Sequence, residues 1–253
     1  MQDPLGQSER AYESRIGTAD RDRIAEYILE GWAEQVSVDH SYAAAWDKGV
    51  MLASRRTWWR VAAQIEDQML RPAIPTRSGN KRPPREKPVI RDTGPGQVWS
   101  GDITDLHSPL RGKSFKANSV LDFYSRHMVA RRVEEREADH LAVEMFETAI
   151  ADRPYVSNDN PFSESGFRTM KYRPGYPRVF KELETARAYL AHYVPWYNTQ
   201  HKHSGIALFS PSQVHDGSWK ELWKTRDQAL QRYYDKNPER FHRRPSTPTP
   251  DRL

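Results

Sequence analysis

The chain has 253 residues, 37% of them hydrophobic, and a mean hydropathy of −0.90, which leaves room for one medium domain and a small one with much surface or linker. Lysine and arginine number 39 against 34 acidic residues, so the formal net charge is +5 and the pI is near 9.3. This basic balance suits a polyanionic partner, although many solvated proteins share it.

Several classes of protein are excluded by what the sequence lacks. The chain has no cysteine, which excludes disulfides, thiolate metal sites and a cysteine nucleophile. No apolar run approaches the length of a membrane span, and residues 1–10 (MQDPLGQSER) lack the apolar stretch of a signal peptide. The sequence therefore predicts a soluble, cytoplasmic protein with no membrane partner.

The first region, residues 1–69, is predicted to be helical. One amphipathic helix is indicated by apolar residues at three- and four-residue steps, namely Ile24, Tyr27, Ile28 and Trp32. A second short helix is predicted over His40–Asp47. A third is predicted to follow Ser54, a suitable N-cap, and to continue through Ile65.

Two interpretations of this helical region remain open. Two short helices with a break at Gly49 fit a helix-turn-helix, a DNA-binding motif. The second of them carries three basic residues near its start, where such helices meet phosphates and base edges, namely Arg55, Arg56 and Arg60. A small helical bundle with a solvated basic face fits the same pattern, and Trp58 and Trp59 suit either a core or a DNA contact.

Residues 70–97 form a basic, proline-rich linker. Six prolines and seven lysines or arginines against two acids cannot build a core, so an extended, semi-rigid segment is expected. Its role is that of a tether or of a segment that follows a phosphate backbone. Lys81 and Arg82 are the DNA-binding candidates within it.

From residue 98 the pattern becomes α/β. Strands are predicted at 98–106, 117–124 and 128–133, with a tight turn at Ser125-Arg126, followed by a helix at 139–150. A meander of three strands followed by a helix is the opening half of a ribonuclease H-like sheet. A helix beginning at Pro161 and another at 183–198, which Pro195 should kink, complete a core over residues 98–216. The remainder, 217–253, is predicted as a helix at 219–234 and a disordered, proline-rich tail.

Two acidic residues are candidates for metal chemistry. Asp102 lies in the middle of the first strand, where aspartate is disfavoured, although a turn or a solvent-facing position would also explain it. Glu164 lies in the first turn of a helix, where the helix dipole alone favours a negative charge. Carboxylates from a strand and a neighbouring helix can together hold the divalent cations that clamp a phosphodiester.

Basic residues follow Glu164 along its helix. Arg168 and Lys171 lie four and seven positions further on, so the three side chains share one helical face. Such a stripe is often a solvated row of ion pairs. It is also the arrangement in which cations beside a metal site contact the DNA backbone.

Several motifs resemble a known family. The stretches are VWSGDITDL (98–106), VLDFYSRHMV (120–129), RPYVSNDNPFSESGFRTMKYRPGYP (153–177), and WYNTQHKHSGI (196–206) with SPSQV (210–214). Together they resemble the catalytic core of bacterial insertion-sequence transposases, in the retroviral-integrase (DDE) superfamily. VMLASRRTWWRV (50–61) is similar to the helix-turn-helix that precedes that core, and NPERFHRRP (237–245) resembles its C-terminal end.

The resemblance implies a metal-dependent DNA reaction. Asp102 and Glu164 correspond to the first and third catalytic carboxylates, which would bind Mg²⁺ or Mn²⁺, with Arg168 and Lys171 on the DNA backbone. In the family, activated water nicks the element end and the freed 3′ hydroxyl attacks target DNA without a covalent protein intermediate. The implied partners are double-stranded DNA, at element ends and target, and further copies of the chain, in the bacterial cytoplasm at the nucleoid. No small-molecule substrate is implied.

The sequence also departs from the family. The family's second aspartate lies on a further strand before the glutamate helix, and here that strand, the helix after it and most of the next strand are missing after about residue 151. The aspartates nearest in sequence do not replace it, namely Asp105, Asp122, Asp139 and Asp159. We therefore expect impaired catalysis and a first strand exposed as a sheet edge. The alternative is a non-catalytic remnant that binds element ends or interferes with a full-length transposase.

Overall fold

The structure is a computed structural model that describes residues 15–66, 68, 71–72, 92–137, 144, 155–157 and 161–250, with the backbone alone for 155–157 and 161–164. Most of the predicted linker, including Lys81 and Arg82, and most of the predicted helix 139–150 lie outside these residues. The chain forms two compact units. One contains residues from 15–72 and 220–248, and the other residues from 92–219.

Seven helices and four strands are described. The helices are α1 (Thr18–Ala33), α2 (Val38–Asp47), α3 (Arg55–Ala62), α4 (Pro161–Tyr172), α5 (Leu183–Thr199), α6 (Pro211–His215) and α7 (Trp219–Lys236). The strands are β1 (Val98–His107), β2 (Ser114–Asp122), β3 (Met128–Glu134) and β4 (Tyr155–Ser157). Within the described part of the chain, no helix is both long and apolar enough to cross a bilayer.

The N-terminal helices pack around aromatic side chains. Trp58 of α3 is buried, and its ring lies 5.9 Å from that of Tyr27 and 5.6 Å from that of Tyr42, centroid to centroid. Trp58 is therefore a core residue. Trp59 is half-buried, and its indole N–H donates to Asp39 at 2.8 Å.

The connection between α2 and α3 is longer than a helix-turn-helix requires. It spans residues 48–54, whereas the turn of that motif has about 3–4 residues. The third helix ends at Ala62, short of the predicted Ile65. The helix-turn-helix is not confirmed and stays a prediction.

The C-terminal helix belongs to this same unit, which the sequence had not indicated. The indole N–H of Trp46 donates to the backbone carbonyl of Arg226 at 2.8 Å. The Arg226 guanidinium, with 1% of its side chain exposed, lies 2.6 Å from the Asp47 carboxylate. An ion pair and a hydrogen bond thus connect α7 to the end of α2.

The prediction of a disordered tail is wrong for the described residues. The tail returns along α7, where the Thr247 hydroxyl donates to Asp227 at 2.8 Å and the Gln231 amide donates to the Pro245 carbonyl at 3.1 Å. Thr247 is buried. Polar partners on α7 offset the lack of apolar residues in this segment.

The sheet has the order β3-β2-β1-β4. The first three strands are antiparallel neighbours, which confirms the predicted meander. The turn at Ser125-Arg126 is closed by a bond from the Arg126 N–H to the Asp122 carbonyl at 2.9 Å, and Arg126 has a φ of 63°. Because this turn begins at residue 123, β2 ends before the predicted Tyr124.

The prediction that β1 is exposed as a sheet edge is only partly correct. Residues 155–157, just before the α4 helix, pair in parallel with Val98–Ser100. The short strand β4 therefore covers the first part of that edge. From Gly101 to His107, β1 pairs with β2 on one side, and no strand among the described residues pairs with its other side.

Helices α4 and α5 cover one face of the sheet. The buried residues of this core include Leu106, Leu121, Phe167, Met170 and Tyr193. The side-chain amide of Asn198 both donates to and accepts from the backbone of Met128, at 3.0 and 2.9 Å, which holds α5 to the start of β3. The α5 helix continues through Pro195 to Thr199.

Candidate functional site

Asp102 lies on the helix-covered face of the sheet. Alternation along β1 puts Asp102 and Thr104 on the same face as Leu106, which belongs to the core that includes α4. Asp105 lies on the opposite face, where it accepts from Lys116 at 2.6 Å and from Ser114 at 2.9 Å. These two bonds, the one from Lys116 first, lower the pKa of Asp105. The predicted separation of Asp102 and Asp105 holds.

Lys171 connects α4 to β1. Its ammonium donates to the Thr104 hydroxyl at 2.6 Å. Burial lowers the pKa of Lys171, and the negative charge of Asp105 partly opposes this shift. The sequence did not indicate Thr104 as a site residue, although its position two residues after Asp102 places both on one face.

The direction of α4 follows from a second contact. A Cβ atom added at Gly166 would lie 3.3 Å from Leu121, and Leu121 pairs with Ser100 of β1. Lys171, five residues later, reaches Thr104, four residues after Ser100. The helix and β1 therefore run in the same direction.

These contacts place the backbone of Glu164, whose side chain lies outside the described residues. Positions seven apart on an α-helix differ by only about 20°, so Glu164 and Lys171 occupy nearly the same side of α4. They are separated by about 10 Å along the axis. Because α4 runs in the same direction as β1, position 164 is displaced from Lys171 towards the Ser100 end of the strand. Asp102 lies in that direction from Thr104.

Asp122 is a structural carboxylate. It is fully buried, and it accepts the Gly96 N–H at 2.6 Å, the Ser125 N–H at 2.8 Å and the Ser125 hydroxyl at 2.6 Å. Burial alone would raise its pKa, but the nearby His215 ring and the bonds from Ser125 and Gly96 outweigh this and lower it. These bonds hold the β2–β3 turn, in agreement with the expectation that Asp122 does not replace the second aspartate.

The two predicted carboxylates would suit one cation better than two. Magnesium is commonly held by one or two carboxylates and completes its shell with water and phosphate oxygens. Asp102 and Glu164 match that requirement in residue type. Within the described ranges, no three His, Cys, Asp or Glu side chains are close enough together to hold a metal ion.

The predicted DNA-binding arginines differ in their availability. Arg55 donates to both carboxylate oxygens of Asp39, at 2.7 and 2.6 Å, so binding DNA would require this pair to open. Arg60 donates to the Thr57 hydroxyl at 2.8 Å, while Arg56 is exposed. Arg168 is also exposed, with its guanidinium 5.6 Å from the centre of the Tyr172 ring.

Comparison with protein families identifies an integrase segment. Residues 147–211 match the family described as Integrase core domain. The matched segment includes α4 and α5, and therefore the position of Glu164 and the side chain of Lys171. This match supports the integrase superfamily assignment and an integrase-like function for this part of the chain. No curated protein matches the sequence.

Three solved structures show a distant likeness to this chain. Two structures of the HTLV-2 integrase catalytic core domain in complex with magnesium, one trimeric and one dimeric, align with TM-scores of 0.36 and 0.32 at 12% and 15% identity. Each alignment covers 49% of this chain and 99% of the other. A chain from the structure of the simian T-cell lymphotropic virus intasome in complex with PP2A regulatory subunit B56 gamma aligns with a TM-score of 0.24 at 17% identity, over 74% of this chain and 55% of that one. These TM-scores are too low to transfer properties to this chain.

Proposed function

We propose that the protein is a transposase- or integrase-like DNA-binding protein with impaired metal-dependent phosphodiester cleavage and strand transfer. The observation that carries this proposal is the shared face of β1 and α4, with Asp102 on the strand and Glu164 on the stripe that ends at Lys171. The match of residues 147–211 to the integrase core domain supports the integrase-like part of this proposal. Element ends and target, as double-stranded DNA, are the proposed partners, bound by more than one copy of the chain.

Each residue of the site has a distinct proposed role. Asp102 and Glu164 would hold Mg²⁺ or Mn²⁺, which when bound would polarise a phosphoryl oxygen and activate water. The Thr104 hydroxyl holds the ammonium of Lys171 on the face of the sheet that carries Asp102. There the ammonium would bind a backbone phosphate. Arg168, exposed on α4, would add a second phosphate contact, with Arg55, Arg56 and Arg60 contributing from α3.

The impairment follows from the number of carboxylates. The resemblance implies three acidic ligands. Among the described residues, Asp122 is committed to the β2–β3 turn and Asp105 lies on the opposite face, so neither is proposed to join Asp102 and Glu164. Asp139 and Asp159 lie outside the described residues. An under-ligated metal site should lose catalysis far more than DNA binding, since binding depends mainly on the basic residues.

The proposal is tested by nicking of supercoiled plasmid and joining of a labelled duplex oligonucleotide with Mg²⁺ or Mn²⁺. We expect weak activity that Asp102→Asn and Glu164→Gln abolish. Asp105→Asn is the matched control, because it removes the same charge from the other face of β1 and should leave the activity unchanged. Equal loss in all three variants would contradict the assignment.

A non-catalytic remnant is the second candidate, favoured by the two-carboxylate donor set. It predicts salt-dependent binding to duplex DNA with no nicking or joining in either metal. Failure of the full chain to bind duplex DNA at low salt would overturn both candidates.

A further inference from the structure

A basic cleft lies at the far end of the β1–β2 hairpin. It has a volume of about 620 Å³ and is formed by the hairpin loop, the residues after β3 and the residues before α5. Four cations from these three chain segments line it, namely Lys113, Lys116, Arg136 and Lys181. The basic residues predicted from the sequence lie elsewhere, on α3, α4 and the linker.

The charges of the cleft do not cancel. Lys116 is paired with Asp105, but Lys113, Arg136 and Lys181 are exposed. The cleft also contains Glu135 and Glu182. The Glu182 side chain accepts a backbone N–H in the capping box of α5, so the amino end of that helix offsets its charge. An excess of positive charge therefore remains.

We propose that this cleft binds the phosphate backbone of double-stranded DNA. Lysine and arginine side chains that converge from separate segments match a polyanion. The walls also contribute Ser108, a hydroxyl-bearing residue of a type that donates to phosphate oxygens. The inference rests on the proposed function, since it requires that this chain binds DNA.

The position of the cleft fits a DNA that also reaches Asp102. His107, at the end of β1 beside the hairpin loop, is five residues beyond Asp102, which corresponds to about 17 Å of strand. One strand of B-DNA advances that distance in about five nucleotides. The separation between Asp102 and the cleft along β1 thus corresponds to about five nucleotides of one DNA strand.

The test is the salt dependence of duplex DNA binding by the full chain, measured by fluorescence anisotropy with a labelled oligonucleotide of arbitrary sequence. The double variant Lys113→Ala, Lys181→Ala should reduce the slope of log K against log salt by about 1.8, because each lost phosphate contact removes about 0.9. Lys113→Arg, Lys181→Arg should keep the slope. The control is Lys220→Ala, Lys224→Ala, which removes the same charge from exposed positions on α7 and should leave it unchanged.

The outcomes are distinct. An unchanged slope in Lys113→Ala, Lys181→Ala, with normal binding by the unaltered protein, overturns the cleft and leaves the proposed function standing. An equal reduction of the slope in the two double alanine variants also overturns the cleft, because net charge alone would then explain the loss. No binding by the unaltered protein overturns the proposed function as well. Loss of nicking in Asp102→Asn with a normal slope is compatible with the cleft and separates the two proposals.

Discussion

Removal of Asp47 should destabilise the helical unit strongly. The carboxylate, with 15% of its side chain exposed, pairs with Arg226, with 1% exposed, at 2.6 Å. Burial lowers the pKa of Arg226, and the negative charge of Asp47 opposes that shift. Asp47→Ala deprives a buried guanidinium of this charge, and loss of one partner of such a pair costs about 3–5 kcal/mol. The double variant Asp47→Ala, Arg226→Met should recover part of this loss, since it removes both charges.

The assay is urea denaturation of each variant, with hydrogen exchange of peptides from α2 and α7 to identify the unit that opens. Glu221→Ala is the matched control, because its pair with Lys224 lies on α7 with 79% and 60% of the two side chains exposed. It should change the free energy of unfolding by less than about 0.5 kcal/mol. The reasoning fails if Asp47→Ala behaves like Glu221→Ala, or if the double variant is no more stable than Asp47→Ala.

Three further predictions concern packing and pH. A Cβ at Gly31 would overlap the Ser41 hydroxyl, so Gly31→Ala should cost about 1–3 kcal/mol in thermal or urea unfolding. Ser41→Ala should restore much of this loss, and absence of the rescue would refute the contact. Burial lowers the pKa of His203 from 6.5 to about 4, so the unfolded chain binds a proton that the folded chain does not, and the free energy of unfolding should fall as pH drops from 6.5 to 4. His203→Asn, which can still accept the Gly205 N–H, should flatten that dependence in urea titrations, and an unchanged profile would contradict it. Asp122 has a lowered pKa, so its contribution is present above the ordinary aspartate value and is lost as pH falls below about 4; Asp122→Asn should remove this acid-limb dependence.

The sequence by itself determined the local elements of this protein. Alternation predicted β1, β2 and β3, and three- and four-residue periodicity predicted α1, because these patterns depend on which side of a single element is apolar. The same alternation separated Asp102 from Asp105. Motif resemblance then indicated the integrase core, which the family match over residues 147–211 supports.

Only the tertiary structure decided which distant segments meet. The buried Arg226 is a charged residue that no hydrophobic pattern would place in a core, and its partner Asp47 lies 179 positions away. The tail was predicted to be disordered because it lacks apolar residues, yet hydrogen bonds to α7 hold it. The three residues of β4 carry too short a pattern to predict, and the basic cleft combines lysines from separate segments. Periodicity indicates which side of one helix or strand is buried. The features above depend on contacts between segments that are distant in sequence, and these contacts are set by the packing of the whole chain.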